Sequence, residues 1–425
     1  MLQGLLLLAA LLTQPASFRD ALALYEAGRW DEAESAFRRA LEEDPAHAPS
    51  TLYLARLCHR AGRDGEAESV LRDALSRRPN GIGLLIELGS LLLETARAEE
   101  AESVFRRALA VEPAAPRALA GVGRALAERG KLREAAQWLS SGVALTQESP
   151  GSPIVERAYG LVLAELNRDR EALEHLTRAV ERAPTDPVAW LGIGTLHYRL
   201  SDYPRAREAF ERAAGADPSR KEPQFYLGEL DLAALQFESA LEHYQRALAI
   251  DGDFSGARRQ KAVALWRLGR VQEAAESLRS LTAADPDDAT AHYLLGSLLV
   301  ERGDLKAGLS ELSEARRLDP FQSATLYLLG TTLARAGGPE QAREAQDALE
   351  AFKKLKAAED SAEKLELGLL ERPDDEASYL SLIDLYLEQQ RTKEADRYLR
   401  KALALWPDSA ALVQRQERLR RWARP

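Results

Sequence analysis

The chain of 425 residues has a single cysteine, Cys58, so it can form neither an intramolecular disulfide framework nor a thiolate metal cluster. Its six histidines (His47, His59, His175, His197, His243 and His292) are scattered, with no HExxH pair and no close cysteine, so no metal site can be named. A GxxxxGK phosphate loop and a GxSxG elbow are both missing. The fragments "GVG" at 121–123 and "GIG" at 192–194 lie inside helical patterns, where close helix packing explains them better than a nucleotide turn. Basic charge is short as well. The net charge of −10 argues against a general nucleic-acid binder, which needs a basic face. Paired carboxylates are so abundant that no pair stands out as an acid/base set. The sequence therefore points to no enzyme, no catalytic residue and no cofactor.

No apolar run is long enough to span a bilayer. The longest distinctive one, Leu5 to Leu12 in "MLQGLLLLAALLTQPAS", has eight residues and is followed by Pro15, Ala16 and Ser17. It resembles a secretory signal peptide, although no Lys or Arg precedes the apolar run. The expectation is that residues 1–17 are a signal peptide or an N-terminal apolar segment and that the chain is secreted or periplasmic. The alternative is a cytoplasmic chain whose N-terminal helix covers the first structural unit.

What the chain has in plenty is Ala, Leu, Glu and Arg, a mixture that favours helix. It also has a period. Pro45, Pro79 and Pro113 are 34 apart, as are Pro184 and Pro218, and Pro286 and Pro320. Three extra residues fall in the loop "TQESPGSP", and 19 fall between Pro320 and Pro407. Glycines recur in the first half of each period (Gly89, Gly123, Gly160, Gly194, Gly228, Gly296, Gly330). Two alanine columns recur in the second half, Ala33 to Ala395 and Ala40 to Ala402, with Phe37, Leu71, Phe105, Leu139, Leu176, Phe210, Tyr244, Leu278, Leu312 or Leu399 between them. Spacings of three, four and seven are those of helix faces. Small residues let two backbones approach, and the large residue fills the hole beside them. Gly28, Gly62, Gly130, Gly269 and Gly303 stand where the first helix ends. Acidic pairs such as Asp31–Glu32 fall in the first turn of the second helix, where its dipole favours them.

These residues resemble the tetratricopeptide repeat family, whose helix–turn–helix pattern they follow from about 18 to 409. The resemblance implies an all-α, right-handed α-solenoid of about eleven repeats, beginning near residues 14, 48, 82, 116, 153, 187, 221, 255, 289, 323 and 376. A C-terminal capping helix over 410–425 follows. It also implies that columns of each first helix line a concave groove, here Tyr25, Arg56, His59, Arg60, Arg117, Arg124, Arg157, Tyr198, Phe225, Trp266, Tyr293 and Tyr327. Arginine outweighs Glu94, Glu128 and Glu165 in repeats two to five, which suits an acidic peptide or a C-terminal carboxylate. The chain departs from the family's asparagine-bearing clamps and ladders. It has two asparagines, Asn80 and Asn167, both in turns.

The 19-residue insertion, within about 343–375, carries an apolar stripe through Ala345, Leu349, Phe352, Leu355, Ala358, Ala362, Leu365 and Leu369. A continuous helix over 340–371 would run about 48 Å. The favoured expectation is a break near Asp360 and a fold-back into the stack, because projecting Leu349 and Phe352 would be exposed. Function reads as a non-catalytic adaptor binding a protein or peptide partner in its groove, with no nucleic acid and no small-molecule cofactor. The alternative is a self-associating structural component of an envelope or secretion assembly, a homo-oligomer using the long helix.

Overall fold

A computed structural model describes residues 15–146 and 152–422. Among the described residues there are 23 helices and no strand. They run as pairs: α1 (Ala16–Glu26) with α2 (Trp30–Glu43), α3 (Ala48–Arg60) with α4 (Asp64–Arg77), α5 (Ile82–Glu94) with α6 (Ala98–Val111), and α7 (Pro116–Glu128) with α8 (Leu132–Thr146). Next come α9 (Pro153–Glu165) with α10 (Asp169–Arg182), α11 (Pro187–Arg199) with α12 (Tyr203–Ala216), α13 (Lys221–Ala233) with α14 (Phe237–Ile250), and α15 (Ser255–Arg267) with α16 (Val271–Ala284). The last are α17 (Ala289–Glu301) with α18 (Leu305–Leu318), α19 (Ser323–Ala336) with α20 (Pro339–Glu371), and α21 (Glu376–Glu388) with α22 (Thr392–Leu405), followed by α23 (Ala410–Trp422). From the second pair on, the first helices begin where the period places them. The described residues form two compact units, one ending at Val162 and the other beginning at Leu163, and each is an α-solenoid. The signal-peptide expectation falls mainly on residues 1–14, which lie outside the described residues. Ala16 and Ser17 belong to the first turn of α1, where the Ser17 hydroxyl donates to Glu43 at 2.7 Å.

Size complementarity fixes the packing within pairs. The alanines at 33, 67, 101, 135, 172, 206, 240, 274 and 395 are all fully buried, as a contact between two helix backbones requires. Phe105 of α6 shows how the large column is seated. A Cβ on Gly89 of the same pair would lie 2.7 Å from its ring, and one on Gly121 of the next pair 2.5 Å. One phenyl ring thus occupies the space of two absent side chains.

The turn within a pair uses one residue with positive φ, in the same register in ten of the eleven pairs. It is glycine at Gly28, Gly62, Gly130, Gly269 and Gly303, and Ala96, Asn167, Ser201, Leu235 and Gln390 in the others. The next residue is the N-cap of the second helix, and an arginine there often reaches the glutamate three residues on. Arg29–Glu32, Arg97–Glu100, Arg168–Glu171, Arg270–Glu273 and Arg391–Glu394 all pair this way. Arg63 extends the scheme by also holding Glu34 of the preceding pair, as Arg97 holds Glu68. The carboxylates of 28–45 are therefore helix-end charges and links between pairs. Each such exposed ion pair contributes about 0–1 kcal/mol.

The insertion departs from expectation. α20 is one continuous helix of 33 residues, about 50 Å long at 1.5 Å per residue, with no break at Asp360. Asp360 is held within the helix by Lys356 at 3.2 Å, and Gly368 remains helical. The helix does not project either. Its first half pairs with α19, where Leu349 packs on Gly330, and its second half packs through Ala362, Leu365 and Leu369 against α21 and α22. One helix serves as the second member of one pair and the support of the next, so Phe352 finds Tyr327 at 5.1 Å instead of solvent.

Candidate peptide-binding groove

In the first unit, α3 and α5 lie side by side in front of α4 and enclose a cleft of about 240 Å³. Its floor is Ala55, Leu71 and Leu91, and its rim is Arg56, His59, Glu87, Ser90 and Glu94. Arg56 spans the two helices with a bidentate pair, Nε to Glu87 Oε1 and a terminal nitrogen to Oε2, both 2.7 Å. The hydrogen bonds it donates to Glu87 raise the Arg56 pKa further, so its charge is fixed. His59 faces carboxylates with both ring nitrogens, Asp64 at 2.6 Å and Glu94 at 2.9 Å. Behind the cleft Cys58 is fully buried, and burial pushes its thiol pKa up, the opposite of an activated nucleophile.

Toward the N-terminus the cleft meets an aromatic cluster. Tyr25 packs edge-on to Trp30 at 5.2 Å and to Tyr53 at 4.9 Å, and Tyr53 stacks on Phe37 at 5.3 Å. Arg60 lies over the Trp30 ring at 4.1 Å, and Arg56 lies 5.9 Å from the Tyr53 ring centre. Arg60 is exposed and has no carboxylate partner among the described residues. Arg117 on α7 is exposed and likewise unpaired, whereas Arg124 holds Glu128 of its own helix at 2.8 Å. Arg157 is half-buried and engaged.

Models of the tetratricopeptide repeat match residues 24–85, 86–153, 157–221, 191–254, 225–289, 259–323, 293–362 and 377–409. The chain belongs to the tetratricopeptide repeat (TPR) family. Among curated relatives it is 30% identical over 149 residues to anaphase-promoting complex subunit 3 of Schizosaccharomyces pombe, covering 34% of this chain and 22% of the relative. It is 28% identical over 145 residues to the peroxisomal targeting signal receptor of Kluyveromyces lactis, covering 34% and 25%. The chain thus spans about a quarter or less of these relatives. Among solved structures, YrrB, described as a TPR protein with an unusual peptide-binding site, aligns at 23% identity and a TM-score of 0.39, over 45% of this chain and 98% of its own. TPR arrays are protein-interaction scaffolds.

In the second TPR unit the expected groove aromatics are spent mostly on packing. Phe225 sits among Tyr226, Tyr244 and Phe254 at 5.1–6.0 Å. Trp266 packs against the core formed by α14 to α17, and Tyr293 against that of α17 to α20. Tyr198 is half-buried between Tyr203 and Tyr226. Tyr327 alone of the five is mostly open, at 51% exposure, with Phe352 beside it. The column gives a direction on the helix, but the neighbouring helix decides whether a large ring stays there or turns inward.

One polar cluster in this unit centres on Asp231. Buried Asp231 accepts from Arg207 at 2.5 Å and from the Ser239 hydroxyl, and His243 approaches it at 3.7 Å while meeting Gln224 at 2.9 Å. Ser239 is bonded to the aspartate and not to the histidine, so the trio lacks the nucleophile–base contact of a triad. Burial also lowers the pKa of His243.

Column reasoning missed Glu87, the partner of Arg56. A readable signal exists, because the two are 31 residues apart, and the same separation joins Glu229 to Gln260 and Asp384 to Arg415. These staples link first helices of neighbouring repeats and, at the end, α21 to α23.

Proposed function

We propose that this TPR chain is a non-catalytic scaffold that holds an extended segment of a protein partner along the first-helix face of its first unit. The segment is acidic or ends in a carboxylate. The observation that carries this reading is the division among the groove arginines. Arg56 and Arg124 already hold Glu87 and Glu128, whereas Arg60 and Arg117 are exposed and unpaired among the described residues. Stacking on Trp30 orients the Arg60 guanidinium and leaves its edge donors for a ligand. A carboxylate arriving there gains two parallel charge-assisted hydrogen bonds without breaking an ion pair. The peroxisomal receptor, named for a targeting signal, is a relative compatible with such a role. The apolar run in residues 1–17 supports work outside the cytoplasm, with a cytoplasmic chain as the alternative.

The test is a tagged pull-down from native cells with wild type and an Arg60→Glu/Arg117→Glu variant whose helicity matches it by circular dichroism. Loss of a partner from the variant supports the groove. A partner retained by both overturns it. Binding of the partner's peptide with a free or amidated C-terminus then separates an end carboxylate from acidic side chains.

A second reading, self-association through α20, rests on Leu367 and Leu370, exposed in its last turns at 57% and 36%. Concentration-dependent sedimentation abolished by Leu367→Glu supports it.

A further inference from the structure

Asn167, one of the two asparagines, sits in the turn between α9 and α10 with φ 61°. Its side chain reaches the far end of the same unit. Lys401 Nζ of α22 donates to its Oδ1 at 2.8 Å, and its Nδ2 lies 3.4 Å from the Tyr379 hydroxyl of α21. These partners are 234 and 212 residues along the chain. Among the described residues it is the only turn residue of its register whose side chain bonds a distant repeat. Tyr379 is fully buried. Two residues after Asn167, nearly buried Asp169 pairs with Arg199 through one carboxylate oxygen, and its other oxygen, Oδ2, is buried without a hydrogen-bond partner.

We propose that Asn167, Lys401 and Tyr379 form a reversible clasp that fastens the first repeat of the 163–425 unit to its last. A solenoid's curvature is the sum of small rotations between neighbours. Pinning the two ends fixes that sum, and with it the separation of the first helices in between. Opening the clasp releases it.

The charged and titratable groups around Lys401 are Glu165 of α9, Asp169 of α10, Arg199 of α11, Tyr379 of α21, and Arg397 and Tyr398 of α22. Burial, joined by Arg199 and Arg397, brings the Lys401 pKa down to about 8. In the open state the amine returns toward the ordinary lysine value. Between these values the open state binds more protons, so raising pH favours the closed state. Tyr379, pushed up to about 12 by burial, stays protonated in this window, as does Tyr398, which is raised further.

The experiment places spin labels on the full chain at exposed Arg170→Cys and Arg400→Cys and reads distances by pulsed electron resonance. The buried Cys58 is replaced by alanine. Wild type at pH 8 gives one dominant short distance. Asn167→Gly keeps the positive φ comfortable while deleting the clasp, so it raises the open-to-closed ratio about tenfold or more, with no loss of thermal stability. Lys401→Glu, set against Asp169 and Glu165, opens it too. In Asn167→Gly, where the open state is populated, raising pH from 8 to 10 lowers the open-to-closed ratio on the order of thirtyfold, and adding Lys401→Met abolishes that response. A long, broad distance in wild type overturns the clasp, as do distances unchanged by Asn167→Gly. A pH response surviving the added Lys401→Met overturns the role of the lysine.

Discussion

The third and tenth helix pairs use the same contact in two registers. In the third, Gly89 of α5 receives Phe105 of α6, sixteen residues on, across a turn with one positive-φ residue, Ala96. In the tenth, Gly330 of α19 receives Leu349 of α20, nineteen residues on, across the turn Gly337–Gly338, where both residues have positive φ. A shift of three is close to one helical turn, so α20 presents the same face and the small column still meets a large residue. The difference teaches that the turn sets the register while the small–large contact only requires the right face. A shifted second helix is then free to run past its partner and support the following pair.

The two fillers are unequal, and removing them gives the largest expected effect. Phe105 is enclosed by glycines of two repeats, so Phe105→Ala costs about 3–5 kcal/mol locally. Leu349 is only half-buried, and Leu349→Ala costs roughly half of that or less. Repeat arrays open in parts, so the readout is amide hydrogen exchange resolved to α5–α6 and to α19–α20. Equal losses in both pairs would show that the filler matters no more in one register than in the other.

A smaller effect tests the turn itself. Gly338 has φ 104° and ψ 151°, a region that side chains other than glycine's rarely adopt, and a Cβ there would crowd Gln341. Gly338→Ala therefore costs about 1–3 kcal/mol. Urea denaturation followed by circular dichroism measures it. An unchanged midpoint would mean that the two-glycine turn relaxes freely and does not hold the shifted register.

How much of this was legible follows from what each signal encodes. The proline period marked the first-helix starts from Ala48 onward because a residue before proline leaves the helical region whatever its neighbours do. The alanine and glycine columns were legible for the same reason: backbone contact admits no larger side chain. Arg56 and His59, read as groove residues, both line one cleft. Phe225, Trp266 and Tyr293, read as groove residues, are partly buried against neighbouring rings and cores, because burial of a ring depends on space left by the next helix. The continuity of α20 was misread from its exposed-looking stripe. Nothing in the segment breaks a helix before Glu371, and the surface that covers Phe352 is Tyr327, which local reading does not supply.

The finest test of the comparison lies in the ordinary turns. Leu235 holds φ 60° at 73% exposure, in the register where Gly28 and Gly62 stand. A left-handed conformation costs a residue with a Cβ about 1–2 kcal/mol, and glycine returns about 0.4–1 kcal/mol of that through its freer unfolded chain. Leu235→Gly is therefore expected to stabilise by roughly 0.5–1 kcal/mol, and Ala96→Gly by a similar amount. Gly62→Ala, with open space around its Cβ position, should lose about as much, since only backbone conformation is at stake. Thermal melts of the three variants decide it. If Leu235→Gly instead lowers the melting temperature, the leucine side chain contributes more by covering its neighbours than its backbone costs. The turn register would then be held by side chains as well as by φ.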